Sequence, residues 1–413
     1  MTLHVAGAEP SLAERYATTR ALTEALASSL SAEDQGVQSM PDASPIKWHL
    51  AHTTWFFETA ILKAALPGYK PFDARYAYLF NSYYEGFGPR HPRSKRGLLT
   101  RPGVDEILEY RRHVDRAMAQ LLRDDHPFAA LILLGIHHEQ QHQELILADI
   151  KHAFFSNPLL PAYSQTRPRE KRMASPLEWI AHTGGVIGIG HDGSGFAFDN
   201  ESPRHDVLLQ PFRLASRAVT NGEYRAFMHD GGYERPEFWL SDGWALKEQE
   251  GWHAPLYWLD DGSVFTLHGV EPLDAEEPVV HVSFYEAVAY AAWAGKRLPT
   301  EFEWEALARD QSLRGHLLDT DRLHPTPARG EGLQQMFGDV WEWTRSSYDP
   351  YPGYKPLEGA LGEYNGKFMV SQMVLRGGSC ATPQTHIRAS YRNFFPPSAR
   401  WQFSGIRLAE DAA

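Results

Sequence analysis

One stretch constrains this chain more than any other: His138-Glu139-Gln140-Gln141-His142-Gln143-Glu144, set inside the apolar run Phe128 to Phe155. Leu131, Leu134, Leu145 and Ile146 recur there at helical spacing and no proline interrupts, so the run predicts one helix. Residues four apart share a helical face, which lets His138 and His142 aim their imidazoles at one point. Two neutral imidazoles so placed suit a divalent transition metal. In an apolar helix, unpaired imidazoles would otherwise cost stability. A third ligand must come from elsewhere, and His49 and His52, three apart on an earlier helix, both qualify. A three-histidine face without a carboxylate leaves positions open for water, substrate or oxygen; without thiolate ligands, zinc and non-haem iron lead.

At 413 residues the chain is long enough for two domains. The capping box Ser11-Leu12-Ala13-Glu14 opens a helix to about Ser29. Ser44-Pro45 opens a second, with Pro at the first helical position, carrying Trp48, His49, His52, Trp55 and Glu58 and stopping before Pro67-Gly68. An irregular aromatic and basic segment, Tyr76 to Arg101, leads to a third helix over Val104 to Arg123; the His138/His142 helix is the fourth. Four helices with one long crossover predict a bundle, a common setting for metal sites. Residues 156–175, with Pro158, Pro161, Pro168 and the basic run Arg167 to Arg172, predict a linker. Beyond it Gly, Trp and short alternating segments predict an α+β domain, whose expected helices are Ser283 to Ala294 and Glu301 to Arg309. Gly188-Ile189-Gly190-His191-Asp192-Gly193 matches GxGxxG, but no helix pattern follows, so a dinucleotide site is not expected.

A net charge of -12 argues against a nucleic-acid partner. No apolar run reaches a membrane span, residues 1–20 lack a basic-then-apolar leader pattern, and the single Cys380 excludes a disulfide framework. A cytoplasmic setting is expected. Tyr83 and Tyr84, in the loop, are candidate proton or electron donors beside a metal. Arg90, Arg93 and Arg96 are candidate carboxylate clamps. Asn393, between aromatics that include Phe394 and Phe395, offers hydrogen bonds, while nearby rings suit a quaternary ammonium. Glu201, Asp206 and Asp339 are candidate groups for a structural calcium ion, although capping and salt bridges explain them equally well.

Beyond residue 176 the motifs Gly184-Gly185, Asp199-Asn200-Glu201-Ser202-Pro203, Val219-Thr220-Asn221, Gly295-Lys296-Arg297-Leu298-Pro299-Thr300-Glu301-Phe302-Glu303-Trp304-Glu305, Gly338-Asp339-Val340-Trp341-Glu342-Trp343 and Arg376-Gly377-Gly378-Ser379 occur in order. They resemble the formylglycine-generating-enzyme-like, C-type-lectin-like domain. Leu50-Ala51-His52 with His138-Glu139-Gln140-Gln141-His142 resembles a DinB-type four-helix bundle. Together the halves, 1–158 and 176–413 with a linker over 159–175, are similar to the non-haem iron sulfoxide synthases of ergothioneine biosynthesis.

The resemblance implies iron(II) held by His52, His138 and His142, which decides between His49 and His52. It also implies dioxygen as co-substrate and a bond between the imidazole C2 of hercynine (trimethylhistidine) and a thiol sulfur that leaves as a sulfoxide. It implies that Gln141 contacts the imidazole and that Asn393 lies near the hercynine end, with Phe394 and Phe395 beside it. The branch that takes γ-glutamylcysteine has an aspartate and an arginine after this asparagine; here Phe395 and roughly Ser398-Ala399 stand there, so free cysteine is the expected thiol. That branch draws its tyrosine from a loop before Arg-Gly-Gly-Ser, where this chain offers only Tyr364. The cysteine branch carries a tyrosine pair in the bundle loop, as Tyr83 and Tyr84 do here, and Arg93, then Arg90 and Arg96, are expected to clamp the cysteine carboxylate. Formylglycine generation is not expected, since it uses a pair of cysteines. Related ovothiol-type or selenosugar chemistry, and a metal-stabilised small-ligand-binding protein, are the alternatives.

Overall fold

A computed structural model describes residues 10–123, 127–165 and 172–412. It divides into two compact units, Met1–Ile150 and Lys151–Ala413. Of the basic run Arg167 to Arg172, expected in the linker, residues 167–171 lie outside the described residues.

Four long helices shape the first unit among the described residues: Leu12–Ser28, Ile46–Phe56, Val104–Leu121 and Ala129–Phe155, whose last turn belongs to the second unit. Ser11 caps the first as expected, its hydroxyl accepting Glu14 N–H while the Glu14 carboxylate accepts Ser11 N–H. All residues of Ile46–Phe56 are buried, so this helix is the axis of the bundle and needs no polar face. Two details depart from expectation. Pro45 is the N-cap and Ile46 the first helical residue, because an extended Pro45 (ψ 144°) cannot enter the helix. The helix does not run evenly to Pro67 either: Phe57–Leu62 widens into a π-turn before Lys63–Ala65 closes it. There Gly135 of the Ala129–Phe155 helix faces Phe56 and Phe57. A Cβ on Gly135 would lie 2.6 Å from the Phe57 ring, so only glycine permits this approach, one turn before His138. Tyr76–Leu79, Glu85–Phe87 and Arg93–Leu98 are short helical turns inside the otherwise irregular segment.

The second unit combines short strands, helices and long loops. Trp179–His182, Phe212–Ala215 and Ala409–Asp411 form an antiparallel sheet with Phe212–Ala215 central. A four-stranded sheet runs in the order Ser404–Gly405, Trp341–Ser347, Met373–Arg376, Asn393–Phe395; only its first pair is parallel. Gly185–Ile189 pairs with His205–Leu209 and Ser263–Thr266 with Gly269–Pro272. The glycine-rich match at Gly188 thus ends an antiparallel strand instead of opening a helix. The expected helices appear at Phe284–Trp293 and Glu301–Ala308. Two more, Asn221–His229 and Ser241–Glu250, were not anticipated, although the Thr220–Glu223 capping box announces the first.

The acidic motif Glu301-Phe302-Glu303-Trp304-Glu305 has a structural explanation. Glu301 pairs with Arg392 at 2.8 Å, Glu303 with Arg297 at 2.8 Å and Glu305 with Arg376, while Glu342 holds Arg407 at 2.6 Å and Trp304 Nε1 at 2.7 Å. Three of these pairs, those of Arg392, Arg376 and Arg407, are buried; Glu305–Arg376 and the Trp304–Glu342 bond tie the helix to the four-stranded sheet, and Glu301–Arg392 ties it to the residue before the sheet's last strand.

Candidate metal centre

The Ile46–Phe56 and Ala129–Phe155 helices bring His52, His138 and His142 together. One ring nitrogen from each lies within 4.8 Å of the others, and all three residues are buried. It is the only such group of histidine, cysteine or acidic side chains among the described residues. His52 Nδ1 donates to the Phe80 carbonyl at 2.6 Å, which leaves its Nε2 lone pair facing His138 Nε2 at 3.2 Å. His142 Nδ1 is 2.8 Å from His49 Nδ1, and His138 Nδ1 is buried without a hydrogen-bond partner.

Burial disfavours the charged form of each ring. His138 is drawn down to about 4, and His52 and His142 fall well below the ordinary histidine value, with repulsion among the rings added to burial. The cluster is therefore neutral at physiological pH, the state in which imidazoles ligate metal. Three neutral nitrogen donors without thiolate or carboxylate fit a divalent metal of the iron or zinc type.

Aromatic planes fix His52. The Trp48 ring stacks on His52 at 4.6 Å (11° between planes) and Trp55 stacks on its other face at 5.5 Å (13°). Tyr84 continues the stack on Trp55 at 5.9 Å, and its ring is buried; half-buried Tyr83 accepts Arg93 Nη1 at its phenol oxygen, 2.9 Å away.

The three loop arginines have different surroundings. Arg90 pairs with Glu85 at 2.8 Å and donates to the Ser82 carbonyl; Arg93, exposed, holds Tyr83 and the Asp42 carbonyl. Arg96 is buried, its Cζ 3.4 Å from the Trp48 ring centre, and donates only to the Ser44 and Ser82 hydroxyls, both at 2.9 Å. Its Nε has no partner, and among the described residues no carboxylate pairs with it; burial lowers its pKa to about 9. A buried guanidinium that no carboxylate touches, with Asp149 only a more distant charge beyond Ser44, is costly unless an anion joins it.

Gln141, half-buried, follows Gln140 one residue before His142. Asn393, Phe394 and Phe395 form a strand in the second unit: Asn393 Oδ1 accepts Phe394 N–H at 2.9 Å, Phe394 stacks on Tyr348 at 4.0 Å, and Phe395 meets Trp401 at 6.0 Å. Tyr364 packs against Phe368 in that unit. Of the acids weighed for calcium, Glu201 is taken up by Arg388, Ser390 and the Phe198 N–H, and Asp339 accepts Thr326 N–H at 2.8 Å; Asp206 lies on a hairpin strand.

Sequence reasoning overlooked the support beneath the histidine cluster. Glu139, next to His138, accepts Arg20 at 2.9 Å and Arg111 at 3.0 Å, all three buried. Burial would raise Glu139, but the two guanidiniums overcome it and hold the carboxyl at about 2. Its position inside the His138–His142 motif was the available signal. The indole sandwich was legible too, since Trp48, His52 and Trp55 are spaced i, i+4, i+7 on one helical face.

No helix among the described residues is long and apolar enough to cross a membrane. The DinB superfamily model matches residues 15–146, and the sulfatase-modifying factor enzyme 1-like domain matches 164–329 and 320–412. The hercynine oxygenase of Mycolicibacterium thermoresistibile is 33% identical over 411 residues, covering 90% of this chain and 88% of that protein. That of Mycobacterium tuberculosis is 35% identical over 400 residues, covering 90% and 92%. Ergothioneine biosynthesis protein 1 of Schizosaccharomyces pombe is 30% identical over 232 residues, 52% of this chain and 28% of its own length. A DinB-type helical domain followed by a sulfatase-modifying-factor-type domain, matched over 90% of the chain at this identity, makes the chain a member of the hercynine oxygenase family.

Proposed function

We propose that this chain is an iron(II)- and dioxygen-dependent enzyme of ergothioneine biosynthesis that joins hercynine to L-cysteine as a sulfoxide. The observation that carries the reading is the buried, neutral His52/His138/His142 cluster, in a chain whose relatives are named for hercynine oxygenation. The balance is closed. Hercynine C2–H, cysteine S–H and one O2 give a C2–S bond, one oxygen on sulfur and one water. Carbon and sulfur supply four electrons, two in forming the bond and two in sulfoxidation.

Iron(II), held by the three histidines, would supply oxygen activation and a place for the thiolate. This chain's residues do the rest. Arg96 takes the cysteine carboxylate: among the three loop arginines it alone is buried without an acid, and only the Trp48 ring separates it from His52. That favours Arg96 over Arg93, whose guanidinium is spent on Tyr83 and Asp42, and over Arg90, which Glu85 neutralises. Gln141 orients the imidazole of hercynine, and Asn393 with Phe394 and Phe395 receives its trimethylammonium end. Holding the sulfur beside C2 provides the proximity the bond needs. Tyr83 or Tyr84 delivers the proton that directs oxidation toward C–S bond formation instead of sulfinate. In this reading the domains are the bundle, 1–158, which carries the metal site, and residues 176–413, with 159–175 as the linker.

The test is oxygen uptake by iron(II)-reconstituted protein given hercynine with either cysteine or γ-glutamylcysteine, with mass analysis of products. Hercynine-dependent uptake yielding the cysteine sulfoxide is expected. Faster turnover with γ-glutamylcysteine overturns the thiol assignment, and metal binding without hercynine-dependent uptake overturns the reaction. Tyr83→Phe and Tyr84→Phe are compared by their sulfoxide-to-sulfinate ratio; if neither changes it, the tyrosine role is wrong.

A further inference from the structure

Two buried groups beside the cluster have no part in that scheme. His49 precedes His52 on the Ile46–Phe56 helix, and Asp149 follows His142 by two turns on the ligand helix. Their side chains are 2% and 5% exposed. They stand in line: Asp149 Oδ2 is 3.0 Å from His49 Nε2, and His49 Nδ1 is 2.8 Å from His142 Nδ1. A carboxylate accepts, so His49 Nε2–H donates to Asp149. A neutral His49 then offers a lone pair at Nδ1, which accepts Nδ1–H from His142. That leaves the His142 lone pair on Nε2, as the Phe80 carbonyl does for His52. Asp149 is itself fixed by Ser44 N–H at 2.8 Å, and the Ser44 hydroxyl accepts Arg96 Nη1.

We propose that His49 and Asp149 form a positioning dyad that sets the tautomer and ring orientation of His142, and through it the affinity and geometry of the metal centre. This rests on the three-histidine metal reading. Two polar side chains buried only to fill space would be replaceable by apolar ones without loss. A carboxylate and an imidazole aligned on the outer nitrogen of a ligand are instead the arrangement that orients metal-bound histidines.

Cobalt(II) titrated into the full-length chain tests this, with the dissociation constant and the visible d–d bands as readouts. The parent is expected to bind one cobalt. His49→Leu fills the volume without an acceptor and is expected to bind about 10- to 100-fold more weakly, with altered bands. His49→Asn puts an oxygen near the place of Nδ1 and is expected to recover most of the affinity and the parent bands. Asp149→Leu, which leaves both histidines in place, serves if His49→Leu does not fold, with the same loss expected. A Leu variant that binds like the parent, or an Asn variant as weak as the Leu variant, overturns the dyad while the metal reading stands. A parent that binds no cobalt overturns the metal reading, and the dyad with it.

Discussion

Replacing Glu139 by Gln removes one negative charge from between two arginines that have little access to water. Arg20 is 4% exposed and Arg111 is fully buried. Each keeps one further acid, Asp115 at 2.8 Å and Glu24 at 3.1 Å, but those partners are 29% and 43% exposed and screened by solvent. Removing one partner of a buried pair costs about 3–5 kcal/mol, and the residual partners place this case near the lower end, at about 3 kcal/mol. Proton linkage through the same two arginines gives a similar size. The Glu139 carboxyl moves from 4.5 to about 2 on folding, a difference worth about 3 kcal/mol at roughly 1.4 kcal/mol per unit. Because the folded value is depressed, this stabilisation is fully present above pH 4.5 and is lost as pH falls toward about 2. Urea unfolding at neutral and acid pH, with amide protection read along Ala129–Phe155, measures both. The parent should lose stability over that window, and Glu139→Gln should begin about 3 kcal/mol lower and lack this component of the acid loss. A variant within about 0.5 kcal/mol of the parent at neutral pH, the scatter of a surface change, would refute the argument.

Gly135→Ala drives a methyl to 2.6 Å from the Phe57 ring and should destabilise by about 1–3 kcal/mol despite alanine's better helix propensity, as read by the thermal midpoint. Arg96→Leu should raise KM for cysteine about 10- to 100-fold, the loss of a charge-assisted carboxylate contact, and leave KM for hercynine nearly unchanged in steady-state assays. His138→Ala should bring bound iron from one per chain to near none by elemental analysis. Thr220→Ala removes the hydroxyl that accepts Glu223 N–H at 3.2 Å and should cost about 1 kcal/mol in denaturant unfolding.

The parts of this molecule that sequence spacing reveals are those where one helix supplies all the information. His138 and His142 are four apart, and the ligand helix follows from its apolar period. The capping boxes at Ser11, Ser283 and Thr300 likewise mark their helices within four residues. The third histidine depends on how two helices are set against each other, which no local pattern encodes; His49 and His52 were equivalent until the family resemblance chose between them. The fold then gave each a different partner, His52 to the ligand cluster and His49 to Asp149. The three loop arginines were likewise alike on paper. Burial separates Arg96 from Arg93, and burial there depends on Ser44 and Trp48 from one segment and Ser82 from another, none of them adjacent to Arg96 in sequence. The π-turn at Phe57–Leu62 also had no visible signal, because a widened turn keeps the composition of an ordinary helix.

The wholly enclosed Ile46–Phe56 helix bears on how this site can be altered by evolution or engineering. A helix with a wet face can drift there while its inner face stays fixed; this one has no such free positions, so any substitution along it meets a packed neighbour. A library randomised over these residues should return few folded members. The loop at 81–99 differs: around buried Asn81, Ser82, Tyr84 and Arg96 it exposes Glu85, Arg90 and Arg93, positions where variation is tolerated. Under the proposed function, new thiol preferences would be reached by changing those exposed positions, while the helix that carries His52 stays as it is.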